Sequence, residues 1–321
     1  MRTLFISILL LCFIYGTYSQ DHYRVLELEY EYSSNNNYDS IKENSIDIQE
    51  YEANLSFPIK RENGDAILTG FGTNNMKMFP KIESNDRPSD TVYSGDYSFS
   101  RIRIQAGYSK KINDERSIVG MGYFRIASDL IDVSSKDFLY AGLVLITKKK
   151  SERFTLKYGL YASTEYYGWL IVPAIGCDWK VSEKFRIYGV MPRRLSVVYT
   201  LNKRFRTGLI FEAPNRTYNV NESLIVDAAG TKLDTYVHNV KNVVYAFGEV
   251  YLSKSIVLRA RVGYTIGRKI GLYERQDANT YYTWGLEYGA KRTAIADVPA
   301  HRTFQDGLVL NASLEYRFSL E

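Results

Sequence analysis

Along most of the chain, apolar and polar residues alternate one for one, the period of an extended strand whose two faces meet different surroundings. In YRVLELEYEY, Leu26, Leu28, Tyr30 and Tyr32 share one face, while Glu27, Glu29 and Glu31 share the other. EYEANLSF sets Tyr51, Ala53, Leu55 and Phe57 against Glu50, Glu52, Asn54 and Ser56. RIRIQAGYS sets Ile102, Ile104, Ala106 and Tyr108 against Arg101, Arg103 and Gln105. In IVLRARVGY, Leu258, Ala260, Val262 and Tyr264 oppose Arg259 and Arg261. The chain ends in the same way, with Leu308, Leu310, Ala312, Leu314, Tyr316 and Phe318 on one face and Val309, Asn311, Ser313, Glu315 and Arg317 on the other.

The pattern predicts fourteen strands, at about 23–32, 46–57, 65–77, 96–109, 117–127, 137–148, 153–164, 169–181, 185–191, 194–201, 205–213, 242–253, 256–267 and 306–318. Short polar turns (113–115, 149–152, 182–184, 202–204, 253–255) follow even strands. Long connections (33–45, 78–95, 214–241, 268–305) follow odd ones. One end of the structure therefore carries tight turns and the other long loops. The expected fold is all-β: an antiparallel transmembrane β-barrel of about 14 strands, within 12 to 16, with short periplasmic turns and long external loops. In hydrocarbon every backbone N–H and C=O must be paired internally, so the sheet has to close and the last strand must pair with the first. Glu315 and Arg317 are then expected inside, near Glu27, Glu29 and Glu31.

Charge decides which face meets lipid. An arginine facing lipid at mid-membrane costs about 2–4 kcal/mol, so Arg101 and Arg103 are expected to point inward. A soluble sandwich or lipocalin-like barrel alternates too, with its charges outward. Strand number, turn and loop asymmetry and the 28 Tyr and 15 Phe favour the membrane, because Tyr suits boundaries between water and hydrocarbon. Two interruptions stand out. Pro173 removes a ladder donor from a central strand, and a local bulge is expected there. The strands flanking Pro192-Arg193-Arg194 are only seven or eight residues long.

The N-terminal MRTLFISILLLCFIYGTYSQ has one Arg, an apolar run and small residues at Thr17 and Ser19, the layout of a secretory signal peptide. It is read as residues 1–19, with the barrel spanning 20–321. Removal of the signal leaves Cys177 alone, so no intrachain disulfide forms. Cys177 is placed on the lipid side as an inert thiol. The formal charge of +5 is spread along the chain, which argues against nucleic acid as a partner.

Four segments, YEANLSFPI (51–59), GDAILTGFG (64–72), FRIYGVMPRRLSVVYTLN (185–202) and LEYRFSLE (314–321), resemble a family of uncharacterised outer-membrane β-barrel proteins of Bacteroidota. The resemblance covers nearly the whole mature chain. It implies a barrel in the bacterial outer membrane and carries over no functional residue. The final strand also resembles the signature read by the barrel-insertion machinery, although Ser319, Leu320 and Glu321 follow the aromatic Phe318. Asp39-Ser40-Ile41 and Asp90-Thr91-Val92 resemble sites that some Bacteroidota glycosylate.

Catalytic and metal-binding patterns are sparse. His22, His238 and His301 are expected at the surface; Asp234 with His238, or His301 with Asp306, lacks a serine signature beside it. No His/Cys cluster has ligand spacing, and Asp86 and Asp90 lack the alternation of a calcium loop. No enzyme activity, cofactor or metal is expected. The candidate site is the set of inward charges. Glu27, Glu29, Glu31, Glu50, Glu52 and Glu315 form its acidic part, and Arg101, Arg103, Arg259, Arg261 and Arg317 its basic part. Opposed walls of this kind screen solutes by charge and size; paired instead, they would hold a closed barrel rigid. Passive transport of small solutes, or of hydrophobic molecules if a lateral exit exists, is the first functional expectation, with outer-membrane lipid and the insertion machinery as partners. A non-transporting barrel presenting 214–241 and 268–305 at the surface is the alternative, and a barrel enzyme acting on lipid comes last. The pattern sets no oligomeric state.

Overall fold

Fourteen strands form one closed antiparallel wall. The structure, a computed structural model, describes residues 22–38, 41–81, 96–221, 233–275, 281–283, 286–288, 302–303 and 306–319. The proposed leader, His301, Asp39-Ser40 and the 86–92 region lie outside these residues. The wall strands begin with β1 (His22–Tyr38), β2 (Ile41–Lys60), β3 (Ala66–Lys81), β4 (Tyr97–Lys111), β5 (Arg116–Ser128), β6 (Phe138–Lys149) and β7 (Phe154–Glu165). They continue with β8 (Gly168–Lys180), β9 (Phe185–Met191), β10 (Arg194–Thr200) and β11 (Phe205–Glu212). A further strand, β12 (Asn215–Val220), precedes β13 (Thr235–Tyr251) and β14 (Ile256–Glu274). Three short pieces follow, β15 (Tyr281–Thr283), β16 (Leu286–Tyr288) and β17 (Arg302–Thr303), before β18 (Leu308–Ser319) closes the wall.

Each wall strand pairs with its sequence neighbour, β11 pairs with β13, and β18 lies between β14 and β1. Across the closing seam Glu27 faces Glu315, Leu28 faces Leu314 and Arg24 faces Arg317. The alternation sorts the two faces. Leu310 and Leu314 are 47% and 42% exposed on the outer surface, whereas Arg259 and Arg261 are 1% and 2% exposed. Phe71, Ile104, Tyr140, Val144, Leu160 and Leu209 continue the exposed apolar belt. The reverse arrangement, expected of a soluble barrel, is absent from these strands.

Three expectations need correction. β1 and β2 continue to Tyr38 and from Ile41, so most of 33–45 is strand. The segments 214–241 and 268–305 also contain strands, described below. Pro173 makes no bulge, because the β7–β8 register runs unbroken from Phe154↔Trp179 to Glu165↔Gly168. The Lys180 N–H donates to the Arg153 carbonyl on the β7 side. By alternation, the ring nitrogen of Pro173 therefore faces β9. But β9 pairs with β8 only from Ile175↔Met191 down to Lys180↔Arg186, so Pro173 sits on an edge where no donor is needed. Replacing Pro173 by Ala is expected to change stability by less than about 1 kcal/mol. Proline at Cys177, whose N–H points the same way but into the paired Cys177↔Gly189 stretch, is expected to cost about 3 kcal/mol. Urea unfolding in lipid vesicles, followed by tryptophan fluorescence, checks both.

Candidate functional site

The inner face changes character halfway along the strands. On β2 the inward series runs from Ile46 and Ile48 to Glu50 and Glu52. On β3 Met78 and Met76 give way to Asn74, and on β4 Phe99 gives way to Arg101 and Arg103. The apolar half, toward the long loops, is filled by a sheet that folds into the lumen. Past Ala213-Pro214, β12 keeps the register of β11 against β13, from Glu212↔Val243 to Asn215↔Val240. The first half of β13 pairs in turn with Lys269–Glu274 of β14.

This sheet crosses the barrel. Asn219 pairs with Ser128 of β5, which lies seven strands from β13 in either direction round the wall. Tyr218 Oη donates to Asn74 Oδ1 on β3 (2.9 Å), and Thr217 Oγ1 donates to Glu165 Oε2 at the end of β7 (2.6 Å). Tyr218, Tyr236, Val237 and Ile270 pack with Ile48, Met76, Phe99, Leu139 and Leu170 in one buried core. His238, expected at the surface, is buried there, with Nε2 2.7 Å from Asn215 Oδ1 and its ring against Tyr167. Asp234 pairs with Lys136 instead, at 2.6 Å. Among the described residues no group of three His, Cys, Asp or Glu is arranged to hold a metal.

Below the sheet lies the charged half, in three tiers. Nearest the short turns, Arg24, Arg259 and Arg317 interleave with Glu27, Glu249 and Glu315: Arg259 Nη1 lies 2.6 Å from Glu315, Arg317 Nη2 2.8 Å from Glu249 and Arg24 Nε 3.1 Å from Glu315. Arg24 also contacts Glu27, and Arg259 also contacts Glu249. In the middle tier, Arg261 joins Glu29 (2.5 Å) and Glu212 (3.1 Å), and Arg194 shares Glu212 (3.1 Å). In the top tier the lumenal sheet is fastened to the wall. Lys241 pairs with Glu31 and with Glu50 (2.9 Å), while Arg216 pairs with Glu50 and with Glu52 (2.8 Å). On the far side, Glu165 holds Arg125 at 3.1 Å and Arg101 at 4.0 Å. Arg103 donates to Asn54 (2.8 Å), but its Nε has no hydrogen-bond partner in the structure.

The arrangement differs from two opposed walls made of the residues named above. Arg259, Arg261 and Arg317 stand beside the glutamates of β1 and are paired with carboxylates. The side facing β1 and β2 is instead supplied by Arg186, Arg194 and Arg206 of β9–β11. Glu249 was legible, since it sits opposite Arg259 in adjacent alternating strands. Arg216 and Lys241 were not, because their segment does not alternate.

Two adjacent cavities lie among the described residues. The first, about 900 Å³, is lined by twelve Lys/Arg and nine Glu side chains and reaches the short-turn residues Arg153, Glu183 and Lys184. The second, about 790 Å³, is lined mainly by apolar groups, including Leu143, Leu145, Leu170, Val172 and Ala174. Glu52, Arg103, Arg193, Arg194 and Arg216 border both.

With this geometry in view, the sequence matches the family described as a domain of unknown function, DUF6268, over residues 16–316. The chain belongs to the DUF6268 family. No curated protein matches the DUF6268 chain. Among solved structures it is similar to the COG4313 outer-membrane channel of Pseudomonas putida F1, at 9% identity and a TM-score of 0.48, covering 95% of this chain and 100% of that one. The NanC porin gives 8% identity and a TM-score of 0.37, covering 92% and 100%. The TodX monoaromatic hydrocarbon channel gives 11% and 0.39, covering 92% and 90%.

Proposed function

We propose that this DUF6268 protein is a passive channel of the bacterial outer membrane, not an enzyme, through which small solutes cross. The lumenal sheet acts as its gate. Export by the leader 1–19 and an origin in Bacteroidota belong to the same reading, with the short turns in the periplasm. The observation that carries it is the pair of adjacent cavities, with shared lining residues, that span the lumen from the short-turn end to the underside of the sheet, lined by charge below and hydrocarbon above. Ion pairs and hydrogen bonds fix these side chains, so the space persists and is not an incidental packing gap.

The packed core of the lumenal sheet favours a second reading, a sealed barrel whose long connections beyond that sheet, between β12 and β13 and between β14 and β18, meet partners at the cell surface. Liposome swelling with purified protein separates the two. Swelling in small sugars and amino acids, falling off with solute size, is expected of the channel. No swelling in any solute, with no single-channel steps in planar bilayers, leaves the sealed barrel.

A further inference from the structure

We infer that the apolar cavity opens sideways through the wall between β8 and β11, and that it admits amphipathic organic anions, an aliphatic or aromatic body ending in a carboxylate, from the lipid. This rests on the channel reading for its direction of travel, but the opening itself is a feature of the wall.

The wall is low at this point. β9 and β10 have seven residues each. At about 3.3 Å per residue and a tilt of about 40° they rise roughly 18 Å, short of the ~25 Å apolar band of such barrels. Above them β8 runs on to Gly168, and among the described residues no strand pairs with it on that side until β15, where Tyr281 and Tyr282 pair with Trp169 and Leu170. Among the described residues Ile171 to Ala174 thus form an unpaired stretch of edge, and Pro173 lies in it with its donor removed. On the other side of the gap β11 leaves β10 at Glu212, and Ala213-Pro214 leads the chain inward. Pro173, Pro192 and Pro214 border the gap, and at Pro173 the backbone donor that would otherwise need a partner in hydrocarbon does not exist, whereas the nitrogen of Pro214 faces β13, where the Lys241 N–H donates to the Pro214 carbonyl.

The cavity passes through this gap. Its lining includes Leu170, Val172 and Ala174 from the inner face and also Met191 and Phe211. Met191 is paired with Ile175 and Phe211 shares the series of Leu209; Ile175 and Leu209 are 56% and 52% exposed on the outer face. Directly opposed residues in a sheet share a face, so one space is lined from both sides of the wall.

The chemistry of the occupant follows from the charges. Where the two cavities meet, Glu52 is held by Arg216, and Arg194 by Glu212. Among the described residues Arg103, Arg193 and Lys157, which lines the apolar cavity, form no ion pair within 4 Å, although Glu52, Glu212 and Asp178 respectively act on them from farther away. Cations bordering hydrocarbon and outside any close ion pair fit a carboxylate arriving on an apolar body, and the guanidinium fork takes it bidentately. The neighbouring charged cavity, with Arg186, Arg206 and Lys184, continues the path toward the short turns.

The test uses the whole protein in lipid vesicles with 11-(dansylamino)undecanoic acid and its methyl ester as probes. Saturable binding of the acid with blue-shifted emission is expected. Ala213→Trp and Ala174→Trp, which fill the gap from its two sides, should each weaken binding at least about tenfold. The double variant Arg103→Gln/Arg193→Gln should weaken the acid about tenfold while leaving the ester within twofold. Retained heat-modifiable gel mobility and an unchanged circular-dichroism spectrum show that each variant is folded. Binding unchanged by both tryptophan variants, or no saturable binding of the acid to folded wild type, overturns the side opening. Equal losses for acid and ester overturn the anion assignment. Failure of sugar swelling with binding intact contradicts the channel reading and leaves the opening standing.

Discussion

Replacing Arg259 by Met is expected to destabilise the barrel by about 3–5 kcal/mol, although the new side chain is apolar and similar in length. Arg259 is 1% exposed and touches both Glu249 and Glu315, the latter fully buried. It belongs to a closed set of three arginines and three glutamates that is neutral as it stands. Without Arg259, three carboxylates share Arg24 and Arg317, and one negative charge is left over beside the fully buried Glu315. Breaking a buried pair from one side is costly for this reason, even where the intact pair adds little net stability. Adding Glu315→Gln should restore most of the loss, and the double-mutant cycle in urea titrations measures the coupling. The neighbouring Leu258, 45% exposed on the outer face, gives the mirror experiment. Leu258→Arg should cost about 2–4 kcal/mol by placing charge in lipid. If Arg259→Met unfolds within 1 kcal/mol of wild type, the cluster is open to water.

The second large effect concerns the gate. In the double variant Arg216→Gln/Lys241→Gln, single-channel steps are expected to grow several-fold, with a shift toward cation selectivity. Among the described residues these two side chains make the ion pairs that tie the lumenal sheet to Glu31, Glu50 and Glu52 of β1 and β2. Their removal loosens the sheet and uncovers three carboxylates facing the lumen. A ring of acids in a narrow pore raises the local concentration of cations. The reversal potential across a potassium chloride gradient reports the sign, independently of step size. Unchanged steps and an unchanged reversal potential would mean that the apolar core around Tyr218 and Met76 holds the sheet without help.

Much of this architecture could be read from residue order, because a wall strand between lipid and lumen is forced into strict alternation. Leu308 to Phe318 shows it best, and the assignment of inner and outer faces follows from where the arginines fall. Alternation stops being informative where both faces are buried in protein. Thr235 to Asn239 is buried at every position, so TYVHNV carries no period and reads as loop. The apolar cavity was hidden for a related reason. On β6 and β8, Leu143, Leu145 and Val172 face inward while Val144 and Ile175 face outward, giving continuous apolar runs from which no inner face can be chosen. The bulge expected at Pro173 failed because it assumed a full-height neighbour. The shortness of β9 was visible in the sequence, and its consequence for the edge of β8 emerges only from the register.

The most direct measurement is site-directed spin labelling along Leu308 to Leu314 in lipid vesicles, on a Cys177→Ala background. Labels at 308, 310, 312 and 314 should be accessible to oxygen dissolved in lipid and shielded from a water-soluble nickel chelate. Labels at 309, 311 and 313 should be poorly reached by oxygen, because those side chains turn toward the ion-paired lumen. The opposite phase, with nickel reaching the even positions, would put charge outside and hydrocarbon within, and would contradict the barrel as a membrane protein.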